Sequence, residues 1–268
     1  MDSELRLYPL LVWARVRSQL QYRLSFAFLV AGSCFLTATD FLVIWVIFQH
    51  LPSLGGWTLQ EVAFLYGTSY LSFKATDMVV GHLDQLPVMV RMGTFDTVLT
   101  RPLGSLYQVI TADFALRHVG GILQGLVILT YAIVSLHIDW DLARVGLFVV
   151  MLVSGGVIFG SIWVLGAATV FWTAGSGLEI LNSFTYGGNQ LTSYPLNIYA
   201  GWLRRLLAFV VPLGFVNYFP SLYILDKQDP LGSPGVLSFL SPVAAVLIAM
   251  VARQVWQLGV RHYRSTGS

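Results

Sequence analysis

Asp40, Lys74, Asp77, Asp113 and Arg117 each sit inside a stretch of chain that is otherwise apolar. An unpaired charge in such surroundings costs several kcal/mol. Each must therefore meet a partner or water, or carry protons or ions. Asp113 and Arg117 are four positions apart, so a continuous helix sets them on one face where they neutralise each other. A structural pair near an interface is the leading reading for these two, with a relay as the other. Asp40 lies deep in its run and leaves both readings open.

Other chemistry is hard to build from this chain. It has no Gly-x4-Gly-Lys-Ser/Thr loop to cradle a nucleotide, and its only lysines are Lys74 and Lys227. A lone Cys34 and the scattered His50, His82, His118, His137 and His262 give no zinc spacing. Gly175-Ser176-Gly177 lacks the spacing of a nucleophile elbow. The chain is therefore expected not to be an enzyme and to bind no cofactor or metal of its own.

Composition sets the medium in which these residues work. The 268 residues are 56% hydrophobic and only 10% charged, with a mean hydropathy of +0.72. Soluble domains carry about 25% charged residues. The deficit excludes a water-soluble enzyme, a nucleic-acid-binding module and a disordered scaffold. A net charge of +2 offers no field to attract a phosphate backbone. The sequence specifies an integral membrane protein.

Crossing a hydrocarbon core takes about 20 apolar residues. Clear runs cover 24–48, 107–136, 142–173 and 236–258, and a weaker one containing Lys74 and Asp77 covers 62–83. The first is too long for a secretory signal and no small-residue cleavage site follows it, so a retained helix is expected. The runs at 107–136 and 142–173 would be about 45 Å long as helices and should tilt or project. The stretch 175–225 admits two topologies. Either the polar segment 176–196 is the fifth span and 200–225 is a Pro-broken hairpin dipping in from outside, or 176–196 is a cytoplasmic loop and 202–225 is the span. Both give six spans.

Arg6, Arg15, Arg17 and Arg23 precede the first span, Arg91 and Arg101 follow the second, and Arg261 and Arg264 end the chain. The loops at 49–61 and 137–141 carry no Lys or Arg, so both termini are expected in the cytoplasm. Arg204 and Arg205 favour the second topology by the same rule. Before the first span, residues 5–22 mix Arg15 and Arg17 with Leu11 and Trp13, which suits an interfacial helix held by membrane lipids. The loop 84–104 is amphipathic, with Phe95, Val98 and Leu99 at helical spacing beside Asp96 and Arg101. Thr94 can cap a short helix there and Pro102 can stop it. Such a helix needs cover, either from a partner protein or from this chain's own helix ends.

The order of these features resembles the type-2 ABC exporter permeases, above all the small bacterial ones encoded beside a separate ATPase and often a second permease. The motifs that carry the likeness are Gly93-Thr94-Phe95-Asp96-Thr97-Val98-Leu99-Thr100-Arg101-Pro102-Leu103, Tyr194-Pro195-Leu196-Asn197-Ile198-Tyr199 and Val211-Pro212-Leu213-Gly214-Phe215-Val216-Asn217-Tyr218-Phe219-Pro220. The tail from Arg261 to Ser268 is also similar, and the likeness covers nearly the whole chain.

The resemblance implies an all-α membrane protein, one permease domain over 1–268. It implies six transmembrane helices, the interfacial helix, and a re-entrant hairpin at 200–225 before the last span. Residues 176–196 become the fifth span. Thr94, Phe95, Asp96, Val98, Leu99 and Arg101 become the coupling helix, docked in a groove of an ATP-binding cassette ATPase that holds the ATP and Mg. Two permease chains, as homodimer or heterodimer, then enclose an export path across a bacterial inner membrane. Glu179, Asn182, Tyr186, Asn189, Gln190 and Thr192 are expected to line it, with small-polar helix packing as the alternative for each. Uncharged, aromatic lining suits efflux of an amphiphile, a lipid or a natural product. The rival reading is a secondary transporter driven by protons or ions through Asp40, Asp113 and Arg117. Such folds usually show internal repeats, and the two halves of this chain show no self-similarity.

Overall fold

The computed structural model describes residues 23–173 and 178–263. The interfacial helix expected at 5–22 and the tail after Tyr263 lie outside the described residues. Within them the chain is helical, apart from a single bridge between Leu54 and Trp57.

Helix α1 covers Arg23–His50. Helix α2 covers Leu59–Val80 and opens on a reciprocal cap. The Glu61 N–H donates to the Thr58 hydroxyl at 3.4 Å, and the Thr58 N–H donates to the Glu61 carboxylate at 2.7 Å. Every residue of α2 from Val62 to Tyr70 is buried, which makes this polar-looking helix the axis of the bundle. Some of its hydroxyls reach neighbouring helices. Ser72 donates to the Leu152 carbonyl at 3.1 Å and Thr76 to that of Gly156 at 3.1 Å.

A 3-10 turn at Gly81–Gln85 leads into α3 (Leu86–Arg91), α4 (Phe95–Leu99) and α5 (Ser105–Thr111). Gly93, between α3 and α4, has φ of 69°, a conformation that a side chain would strain. The run 107–136, expected as one span, is divided. The chain leaves the helix after Thr111, Ala115 donates its N–H to the Met78 carbonyl at 3.1 Å, and α6 begins only at Val119 and ends at Leu136. The break leaves Asp113 half-buried and Arg117 exposed.

His137, with φ of 47°, ends α6, and Asp141 starts α7 (Leu142–Ala168) by accepting the Arg144 N–H at 2.7 Å. Helix α8 is described over Leu178–Thr192, within the expected 176–196 span. Then come α9 (Gly201–Arg205), a π-helical turn at Leu206–Val210, α10 (Tyr218–Ile224) and α11 (Ser241–His262). Pro212, which has no N–H to donate, sits where Gly201–Val210 and Leu213–Ile224 meet at 71°. Among the described residues, four helices are long and apolar enough to cross a membrane: Phe26–His50, Leu116–Leu136, Leu142–Phe171 and Ser241–His262, with the bent pair a fifth if it is one crossing. The protein is an all-helical membrane protein.

The connections sort to two ends. At one, the Asn197 side chain donates to the Gly55 carbonyl at 2.7 Å, and Lys227 donates to the Gly56 carbonyl at 2.9 Å and to Glu61 at 2.8 Å. The chain entering α9 and the chain leaving α10 are thus tied to the same 55–61 segment. At the other end the 81–105 loop meets the C-terminal half of α11, where the Trp256 indole donates to Ser105 at 3.1 Å.

Candidate functional site

The amphipathic helix α4 divides its residues between two tasks. Phe95 is fully buried, its ring 5.2 Å from Phe171 and 5.1 Å from Tyr263, and Val98 is buried with it. The Tyr263 hydroxyl donates to Asp96 at 2.9 Å. Gln108 donates to the carbonyls of Val98 at 2.9 Å and Leu103 at 2.8 Å, closing the loop on itself. Phe95 and Asp96, expected at an ATPase groove, thus meet Phe171 and Tyr263 of this chain. The expected Thr94 cap is not made either, because its hydroxyl donates back to the Met89 carbonyl at 3.3 Å. What α4 and its flanks present to solvent is Arg91, Met92, Thr94, Thr97, Leu99 and Arg101, with Met92 68% exposed. Arg91 and Met92 were not among the residues that spacing had singled out, since they precede the short helical pattern.

Just upstream, Asp84 gathers three elements. Its carboxylate accepts the Trp163 indole N–H from α7 at 2.8 Å and the Tyr186 hydroxyl from α8 at 3.2 Å. Burial pushes this carboxyl above the ordinary carboxylate range, and the two donated hydrogen bonds hold it partly back. The Phe73 ring of α2 stacks on Trp163 at 5.3 Å and meets Tyr186 edge-on at 5.7 Å. Nothing in local spacing marks Asp84, whose partners lie 79 and 102 positions away.

The polar helix α8 is two-sided. Thr192 is buried, with its hydroxyl 2.5 Å from that of Ser69 on α2, and Asn189 is buried beside it with no partner for its Oδ1. Tyr186 and Gln190 stay exposed. Of the residues expected to line a path, Asn189 and Thr192 thus serve or face the helix interface, while Tyr186 and Gln190 remain available. The Glu179 and Asn182 side chains lie outside the described residues. An apolar cavity of about 830 Å³ runs instead along α7, the 206–212 turn and α11, past Ile162, Thr169, Phe209, Pro212, Leu247 and Val251, and includes none of the expected lining residues.

Asp113 and Arg117 form no ion pair with each other, because the break at 112–118 removes the helical register that would have aligned them. The buried centre is Asp77, which Lys74 approaches at 3.4 Å and His118 at 3.2 Å, leaving Asp77 Oδ1 without a partner. Asp40 is half-buried on α1, within electrostatic reach of Lys74.

Compared with known proteins, residues 34–267 match the family described as ABC-2 family transporter protein. No curated protein and no solved structure matches the chain.

Proposed function

This chain belongs to the ABC-2 family of transporter proteins, and from that premise we propose that it is the membrane half of an ATP-driven exporter, worked through the exposed strip Arg91–Met92–Leu99–Arg101. The match covers nearly the whole chain, and the family's members are transport subunits that normally partner with ATPases. Transport by this permease then needs a separate chain to hydrolyse ATP. The observation that carries the proposal is the clasped loop. Phe95 and Asp96 fix it to the bundle and Gln108 closes it on itself, so a force applied to its exposed strip reaches the helices instead of bending a loose connection.

The same reading assigns the 81–105 end to the cytoplasm. With the 55–61 end outside, 200–225 is a re-entrant hairpin, which its two ties to that segment support. Arg204 is then a cation on the outer side, within electrostatic reach of Tyr218, whose hydroxyl donates to Asp229 at 2.7 Å. Helices α2 and α8, polar but sheltered by their neighbours, supply the remaining two of six spans, with both termini in the cytoplasm of a bacterial inner membrane. Two such chains, identical or sister, enclose the path. A cargo with a long apolar part, such as a lipid, an amphiphile or a natural product, is favoured by the apolar cavity along α7 and α11.

Copurification tests the reading. The tagged permease should retain an ATP-binding subunit, and Leu99→Asp combined with Met92→Asp should release it while leaving the permease folded. Transport by the purified permease without any ATPase would favour the secondary-transporter reading instead.

A further inference from the structure

We infer that Asp84 is a positioning residue that passes movement of the 81–105 loop to α8 through the hydrogen bonds it accepts from Trp163 and Tyr186. The inference rests on the reading of this chain as an ATPase-coupled permease and adds how loop movement would reach the polar helix.

The parts have the stiffness that such a link requires. Trp163 and Phe73 are fully buried and stacked, so neither ring can turn aside when the loop shifts. The Tyr186 ring packs edge-on against both, 5.5 Å from Trp163 and 5.7 Å from Phe73. Hydrogen bonds to a carboxylate are stronger than those between neutral groups. Asp84 stands on the 3-10 turn that follows α2 and leads through α3 to the strip at 91–101.

Helix α8 is also pinned at its far end. Thr192 meets Ser69 at 2.5 Å, and its carbonyl accepts the Asn217 amide at 2.8 Å. A helix held at Thr192 and drawn at Tyr186 pivots, and the exposed Gln190 and Tyr186 move with it. Tyr186 is then a handle for the polar helix as well as part of its exposed face.

The test uses the permease with its copurified ATPase in nanodiscs. Cys34→Ser removes the single cysteine, and Gln190→Cys supplies one thiol on α8. The rate at which a water-soluble maleimide labels position 190 is compared without nucleotide and after trapping with ATP and vanadate. We expect trapping to change that rate. Tyr186→Phe and Asp84→Ala should each shrink the change severalfold, while the amount of ATPase retained stays the same. Asp84→Asn, which keeps an acceptor oxygen, should fall between. A labelling change that survives Tyr186→Phe and Asp84→Ala at full size overturns the inference. So does an assembled, hydrolysing complex in which trapping leaves position 190 unaltered. If no ATPase is retained by any variant, including the unsubstituted chain, the functional reading itself has failed.

Discussion

Tyr263 donates its hydroxyl to Asp96, 167 positions earlier, and so closes the end of α11 over the loop that the proposal assigns to an ATPase. The ring beneath that hydroxyl packs on Phe95 at 5.1 Å and on Phe171 at 6.1 Å. One residue therefore holds α4 by both a polar and an apolar contact, and the two can be separated.

Tyr263→Phe removes the hydrogen bond and keeps the ring. The expected loss is ~0.5–1.5 kcal/mol, confined to the loop. Amides at 92–103 should exchange faster with deuterium while those of α2 do not change. Burial first, and the bond to Asp96 second, push the Tyr263 phenol from 10.0 to about 12. A group whose folded pKa is raised stabilises fully below its unfolded value and loses that contribution as pH rises through the folded one. The clasp should thus be intact below pH 10 and lost as pH approaches about 12. A loop whose exchange rates below pH 10, corrected for intrinsic exchange, already match those of Tyr263→Phe would contradict it.

Phe95 and Leu99 should respond oppositely. Truncating the fully buried Phe95 to Ala should cost ~3–5 kcal/mol in thermal unfolding and loosen the loop. Leu99 is 42% exposed, so Leu99→Ala should leave the melting temperature nearly unchanged. ATPase retention should fall in both, through a displaced strip in the first and a missing contact in the second.

Asp77 is a buried acceptor shared by two residues. Asp77→Ala leaves Lys74 and His118 without their shared acceptor, and removing one partner of a buried pair costs ~3–5 kcal/mol. Lys74→Met combined with Asp77→Leu removes both charges and should recover part of that loss. Unfolding in nanodiscs separates the two, and a double variant no more stable than Asp77→Ala would count against the pairing.

Gly67 lets α2 and α6 touch. A Cβ placed there would lie 2.9 Å from the Leu129 Cβ and 3.0 Å from its Cα, which is backbone and cannot turn away. Gly67→Val should cost ~1–3 kcal/mol by overpacking, whereas Gly32→Ala on α1, with open space around it, should be nearly silent. Melting curves of the two variants side by side would show whether that contact is as close as described.

Much of this architecture was legible because hydropathy reports length and composition directly. The runs at 24–48, 142–173 and 236–258 correspond to α1, α7 and α11. The break at 112–118 was hidden because its few polar residues are averaged into a long apolar run, and the bond from Ala115 to Met78 crosses to another helix. Periodicity identified an amphipathic α4 but could not say which side its apolar face meets, since Phe171 and Tyr263 are remote in sequence. His118 passed as one of several scattered histidines for the same reason: Asp77 reaches it only through the packing of the bundle. Long-range polar pairs such as Asp84 with Tyr186 leave no mark on local spacing.

The most direct measurement is site-directed crosslinking in intact membranes. In a Cys34→Ser background, Leu99→Cys should join covalently to the ATP-binding subunit, while Leu51→Cys, exposed at the opposite end of the bundle, should not. A crosslink from position 51, or labelling of position 99 by a reagent confined to the outside of the cell, would contradict the account.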